Sequence, residues 1–206
     1  MPVTVLLDGR GAGAAADALA ASHADYPGFR AVFPDPARRA RALPPFFTAT
    51  VADAVSFGAV RAVRDGPQRV ASVAVWLPPG AFPWSAWRKA RATPAFLRVL
   101  AADPANFRRF ARYGANAERA HRASAPYWYL VVIGVRPEAQ RQGHGRALIE
   151  PVLARADRDG VDCRLETADP ANVAYYERFG FEVADPALQL VPGGPAHVSM
   201  RRSAPA

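Results

Sequence analysis

Between residues 127 and 156 the chain runs from YWYLVVIGV through RPEA and QRQGHGRA into LIEPVLARA. The first stretch, 127–135, has almost no polar alternation, so it predicts a strand at the centre of a sheet, covered on both faces. The last predicts a helix over about 143–158. The junction is rich in glycine: Gly143 and Gly145 follow Gln140, with Arg141 and Arg146 beside them. A tight turn by itself can call for one glycine. Two of them, flanked by Gln140, Arg141 and Arg146, favour backbone that approaches a ligand. Unshielded N–H groups and the positive end of a helix dipole suit an anion such as a pyrophosphate.

A second glycine-rich turn competes for the same explanation. Gly9, Gly11 and Ala14 match a loose G-x-G-x-x-G/A pattern, and Asp35 lies about where a ribose-binding acid would fall. Such a match arises easily in a chain rich in Ala and Gly. DYPG (25–28) also interrupts the path to a second parallel strand, so a dinucleotide site of this kind is the weaker reading.

Composition sets the outer limits. The 206 residues are half hydrophobic, enough for one compact domain with its own core. No repeat or long linker divides them, so 1–206 reads as a single domain. Lys and Arg number 26 against 18 Asp and Glu, a formal charge of +8. The basic residues are scattered, and all but Lys89 are Arg. With the heavy use of Ala, Pro and Gly, this reads as compositional bias rather than a nucleic-acid interface. A positive surface also attracts an anionic cofactor. No apolar run reaches the roughly 20 residues of a membrane span. The N-terminal MPVTVLLDGR reads as a strand, not a signal peptide. The lone Cys163 excludes an internal disulfide and fits a reducing, cytoplasmic setting.

Along the chain, 2–8 reads as a strand and the Ala-rich stretch after it as a helix closed by DYPG. Residues 34–55 read as helical with an interruption at Pro44-Pro45. Residues 56–66 and 68–80 form two antiparallel strands around Asp65-Gly66. Residues 81–124 form a helical insert with breaks at Thr93-Pro94 and Asp103-Pro104. Its aromatic residues Phe82, Trp84, Trp87, Phe96, Phe107, Phe110 and Tyr113 read mainly as core-facing stripes, and some could line a pocket for a flat apolar substrate. After the helix at 143–158 come a second buried strand (161–169), a short helix ended by Gly180, and two strands around PGGP (192–195).

Gln140-x-x-Gly143-x-Gly145 matches the Q/R-x-x-G-x-G/A motif of the GNAT family of N-acetyltransferases. Asn172, followed by Tyr176 to Phe181 (YERFGF), resembles that family's N…Y-x-x-x-G-F signature. HADYPGFR (23–30), VAVWLPPG (73–80), 127–135 and 165–183 are similar to the members that acetylate aminonucleoside antibiotics. The likeness is weakest over 81–124. It implies an α/β fold of the α+β, mixed type: a mostly antiparallel sheet with helices on both faces and two central parallel strands that splay apart. Acetyl-CoA would enter between them, here 127–135 and 161–168. The backbone of Ile133, Gly134 and Val135 would hold the pantetheine arm. Residues Gln140, Arg141, Gln142, Gly143, His144, Gly145 and Arg146 would take the pyrophosphate, and Asn172 would touch the cofactor chain. Gly134 in mid-strand then makes sense as a bulge or a close-approach site.

The implied reaction is direct acetyl transfer to a neutral primary amine of a small molecule. The amine must lose a proton and the departing thiolate must be protonated. Tyr176 matches the position of the thiolate's acid. Tyr175 points about 100° away on a helix, so one of the two faces the cofactor. Glu166, among apolar neighbours, is the candidate base; a structural ion pair with Arg164 or another arginine is the alternative. Asp25 and Tyr26, in a segment similar to the family's substrate side, could contact the amine or could simply form a turn. Trp76 and Trp128 are pocket walls or core. His121 and His144 read as surface or loop residues, and Cys163 as a buried strand residue. No metal site is expected, nor a membrane or nucleic-acid partner, and the chain would act as a monomer or homodimer. Acetylation of peptides or proteins, and a non-catalytic acyl-CoA-binding module, are the alternatives.

Overall fold

The computed structural model describes residues 2–66, 69–122 and 125–205. Gln68, where the sequence begins the second strand of its hairpin, and residues 123–124, which end the predicted insert, lie outside them. Among the described residues, seven strands form one sheet in the order β1-β2-β3-β4-β5-β7-β6. These are β1 (Thr4–Leu6), β2 (Val60–Arg64), β3 (Val70–Leu77), β4 (Tyr127–Val135), β5 (Asp162–Thr167), β6 (Glu182–Leu188) and β7 (His197–Arg202). Every pair is antiparallel except β4 with β5. The expected mixed sheet, with its one central parallel pair, is therefore present.

Helices cover both faces, which is why β3 and the first half of β4 carry apolar residues on both sides. On one face lie α1 (Ala12–Ser22) and α3 (Pro36–Val55), packing Leu19, Phe47 and Val51 against Val73, Val75 and Leu77. On the other face lie α6 (His144–Asp159) and α7 (Val173–Glu177), which bury Leu148, Ile149 and Tyr176 against Trp76, Leu165 and Met200. A third cluster joins α2 (Pro27–Val32) and α3 to α4 (Ala86–Ala102) and α5 (Phe107–Ala120) through Val32, Phe33, Val99 and Phe110.

Two expected interruptions do not occur. α3 runs through Pro44 and Pro45, and α4 through Pro94. A proline inside a helix costs about 3 kcal/mol. In α3 each of Leu43, Phe47 and Val51 buries its side chain completely or nearly so, worth roughly 1.5–3 kcal/mol apiece, so packing outweighs local propensity. The predicted break at Asp103 does occur: Ser85 caps the start of α4, and Asp103, fully buried, ends it by accepting from Asn106 and Arg38.

Candidate active site

β4 and β5 are in register from Tyr127 opposite Asp162 to Leu130 opposite Leu165, and there the pairing stops. On its other side β4 stays bonded to β3 as far as Val135 opposite Ser72. The edge of Val131–Val135 that faces β5 is thus free of strand partners, the splay that the resemblance implies.

The β3–β4 register slips by one residue where Val75 meets Val132 and Trp76 meets Leu130. Val131 is the extra residue of this bulge. A bulge reverses which side each later residue faces. Beyond it, Gly134 looks toward α1, although an unbroken strand would have turned it toward α6 with Trp128 and Leu130. A Cβ on Gly134 would stand 2.1 Å from Ser22 Oγ and 3.0 Å from Leu19 Cδ2. Of the two reasons offered for this glycine, close approach is the one realised, and the bulge lies three residues earlier.

The chain then enters the glycine turn. Arg141 has φ 62°, an uncommon conformation for a residue with a side chain, and Gly143 has φ 81° as the N-cap of α6. The first helical hydrogen bond runs from Ala147 N–H to the Gly143 carbonyl, 3.1 Å. The N–H groups of His144, Gly145 and Arg146 are left without helical partners, and no side chain caps them. A Cβ on Gly145 would fall 2.2 Å from Tyr175 Oη, so glycine alone leaves this cradle open. Free amides, bare backbone and nearby arginines suit an anion here.

One cavity of about 1430 Å³ joins this turn to the helical insert. Ile133, Gly134, Val135, Gln140, Arg141, Gly143, His144, Gly145, Arg146 and Asn172 all line it. Gln142 does not: its amide turns back to the Glu138 carbonyl, 3.3 Å away. The imidazole of His144 packs down on β3, with Nδ1 3.1 Å from Ser72 Oγ, so its main-chain N–H is what it presents to an anion. Asn172 Nδ2 donates to Thr167 Oγ1 at 3.3 Å, tying the short helix to the end of β5.

Glu166 lies in the middle of the cavity wall with its side chain 6% exposed. Its partner is neither Arg164 nor another arginine. Tyr129 Oη donates to Oε2 at 2.7 Å, and His121 Nε2 stands 2.9 Å from Oε1, off the line of a good hydrogen bond. His121 Nδ1 is 2.6 Å from Tyr127 Oη. Burial, reinforced by Glu166, holds the Tyr129 phenol well above its ordinary pKa. Tyr127 is pushed up to about 12, chiefly by burial. Both phenols therefore stay protonated near neutrality.

His121, read from sequence as an ordinary helix-end histidine, closes α5 and is 4% exposed. Tyr129 and His197 were not singled out either. A signal for the tyrosines existed: two phenols at alternate positions of an apolar strand need buried partners. Nothing local pointed to the histidines, because their surroundings come from other elements. His197 lines the cavity beside Tyr113, and burial lowers its pKa, so it stays neutral.

Tyr176 and Tyr175 both reach the cavity wall. Tyr176 is 7% exposed and packed against Phe181, and burial raises its phenol pKa, with Tyr26 and Tyr175 adding to the effect. It is a protonated donor at neutral pH. Tyr175 faces Gly145, as noted above. Tyr26 also lines the cavity, its hydroxyl accepting from Ala168 N–H at 2.5 Å, while Asp25 is 89% exposed at the rim and pairs with Arg39 at 3.5 Å. Trp76 and Trp128 belong to the core under α6, on the opposite face of the sheet, and are not pocket walls. Cys163 is buried, its thiol pushed up to about 12 mainly by desolvation, which suits an inert strand residue.

The insert closes the far end. Phe82, Trp84, Phe96, Phe107, Phe110 and Tyr113 line the cavity, whereas Trp87 is 71% exposed. Lys89 of α4 meets Glu118 of α5 at 2.7 Å on the cavity wall. Arg88 binds Asp53 of α3 through both carboxylate oxygens and so fastens the insert to the body of the protein.

The model of the acetyltransferase (GNAT) family matches residues 63–181, more than half of the chain. Among solved structures, a histone acetyltransferase HPA2 and related acetyltransferase from Corynebacterium glutamicum is 20% identical, with a TM-score of 0.72 over 100% of this chain and 97% of that one. The polyamine N-acetyltransferase of Drosophila melanogaster is 15% identical, with a TM-score of 0.62 over 98% and 100%. PaiA N-acetyltransferase of Thermoplasma acidophilum, solved with coenzyme A, is 9% identical, with a TM-score of 0.59 over 98% and 99%. Among the described residues no helix is long and apolar enough to cross a membrane. Splayed strands, amide-lined turn and matched family model agree: the chain belongs to the GNAT family, and it is an N-acetyltransferase that uses acetyl-CoA.

Proposed function

We propose that this enzyme acetylates the primary amine of a small molecule with a flat, apolar body, an aminonucleoside-type antibiotic such as puromycin being the nearest candidate. The observation that carries this reading is the aromatic end of the cavity. The insert, with α4 and α5, gives it an aromatic wall of Phe82, Trp84, Phe96, Phe110 and Tyr113, which suits a flat apolar group. The similarity of 23–30, 73–80 and 165–183 to puromycin N-acetyltransferase supports the same class, and the role would be resistance by modification.

Acetyl-CoA supplies the acyl group as a thioester. The edge of Ile133–Val135 and the amides of 143–146 would hold its pantetheine and diphosphate. Glu166 accepts the proton of the bound ammonium, directly or through a water, so that the nitrogen lone pair is free. Tyr176 donates its phenolic proton to the departing sulfur and is reprotonated from solvent. Asn172 steadies the end of β5 through Thr167. Tyr26, and Asp25 at the rim, form the wall on the amine side.

A thiol-release assay with acetyl-CoA and a panel of aminonucleosides, arylalkylamines, polyamines and N-terminal peptides tests this. Release with aminonucleosides or arylalkylamines is expected. Turnover of peptides alone would overturn the substrate class. Tight coenzyme binding with no release across the panel would favour an acyl-CoA-binding module.

A further inference from the structure

The buried chain Tyr127–His121–Glu166–Tyr129 has one neutral-imidazole arrangement of protons that gives the Tyr127 hydroxyl an acceptor in His121 and turns an N–H, off the line of a good hydrogen bond, toward Glu166. The Tyr127 hydroxyl has His121 Nδ1 at 2.6 Å as its acceptor, and Arg164, whose guanidinium lies 4.6 Å from the Tyr127 ring centroid, brings only donors. Nδ1 therefore accepts, and the ring proton sits on Nε2, 2.9 Å from Glu166 Oε1. Tyr129 fills the other side of the carboxylate. The opposite tautomer would set an imidazole lone pair against a carboxylate oxygen and leave the Tyr127 proton without this acceptor.

We propose that His121 is a positioning residue for acetyl transfer: its Nε2–H, 2.9 Å from Oε1, keeps the Glu166 carboxylate aimed into the cavity, ready to take the amine's proton. His121 does not line the cavity, so it acts through Glu166 and not on substrate. The titratable groups around Glu166 are Tyr26, Tyr113, Tyr127, Tyr129, His121 and His197. Burial keeps the four phenols protonated and the imidazole of His197 neutral, and His121 Nε2 is the ring nitrogen that stands 2.9 Å from Oε1. Arg164 lies two residues before Glu166 on the same strand face, over the Tyr127 ring. His121 also ends α5, so the residue that orients the base is delivered by the element that shapes the substrate pocket.

This rests on Glu166 being the base, and the experiment separates the two ideas. Glu166 ionisation is followed by carboxyl-carbon NMR of glutamate-labelled full-length protein, in wild type, His121→Ala, His121→Gln and Tyr127→Phe. In His121→Ala the midpoint of Glu166 should rise by about one pH unit or more, because the carboxylate loses the N–H dipole that faces it. The acid limb of kcat/KM should rise with it, while KM for acetyl-CoA stays within twofold. His121→Gln, whose amide can donate to Oε1, should return both toward wild type. Tyr127→Phe should move them in the same direction as alanine but less. An unmoved Glu166 midpoint in folded His121→Ala, or a glutamine variant shifted as far as alanine, overturns the proposal. A shifted midpoint without a shifted acid limb upholds the hold of His121 on Glu166 and refutes Glu166 as the base.

Discussion

Replacing Gly145 with alanine tests the cofactor cradle through a contact whose size the structure gives. The new Cβ would lie 2.2 Å from Tyr175 Oη and 3.2 Å from Cζ. Non-bonded carbon atoms settle at about 3.5–4.0 Å and oxygen somewhat closer, so the hydroxyl has to retreat by roughly 1 Å. Gly145 is helical, and alanine gains up to about 1 kcal/mol of helix propensity there, so the fold should survive. What suffers is the cradle, because the retreating ring moves along the wall that the diphosphate would occupy. Loss of one well-placed anion contact is worth about 1.4 kcal/mol or more, a tenfold weaker Kd for acetyl-CoA, and a 1 Å misplacement can cost up to about a hundredfold in turnover. Calorimetric titration with acetyl-CoA reads the first and steady-state kcat/KM the second, with the Tm as control. Tyr175→Phe in the same chain removes the clashing oxygen and should recover most of the affinity. If Gly145→Ala binds acetyl-CoA as wild type does, the turn is not the diphosphate site. If the double variant does not recover, the clash is not the cause.

Glu166→Gln keeps the shape of the side chain and removes the proposed base; kcat/KM should fall by about 10²- to 10⁴-fold with acetyl-CoA affinity unchanged, and a loss under threefold would refute the role. Tyr176→Phe should lower kcat by about a hundredfold whereas Tyr175→Phe alone leaves it near wild type; the reverse ranking would exchange their roles. His23 is neutral when folded, its pKa lowered by burial from 6.5 to about 4 with the Leu19 carbonyl opposing. The unfolded chain binds the proton first, so this contribution is whole above pH 6.5 and fades as pH falls through 4, by ~3 kcal/mol in all. Urea midpoints at pH 7 and pH 4.5 should diverge less in His23→Gln than in wild type. Arg88→Ala leaves the Asp53 carboxylate without its bidentate partner; both side chains are under 15% exposed, so unfolding should cost about 3–5 kcal/mol less, and a change below 1 kcal/mol would show the pair to be incidental.

How much could be read in advance differs from element to element. The central strand 127–135, the helix after Gly143 and the Q-x-x-G-x-G turn were legible because a doubly covered strand and an open helix start each leave a local pattern. The unbroken α3 was not, because local rules penalise Pro44 and Pro45 while the decisive burial of Leu43 and Phe47 is a tertiary matter. Gly134 was noticed as anomalous, but its partner, Ser22 Oγ, lies over a hundred residues away and faces it only after the Val131 bulge. The tryptophans illustrate the same limit: an indole at 76 or 128 could face either side of the sheet until the helices were in place.

The order of residues alone determined the glycine-rich turn that matches the family motif, the central strand it leaves and the tyrosine of the closing motif, since each needs only neighbours within a few positions of chain. Which group holds Glu166 was decided by folding. His121 arrives from the end of α5 and Tyr129 from β4, and their distance from a carboxylate on β5 depends on how three separate elements pack, a quantity no local spacing encodes.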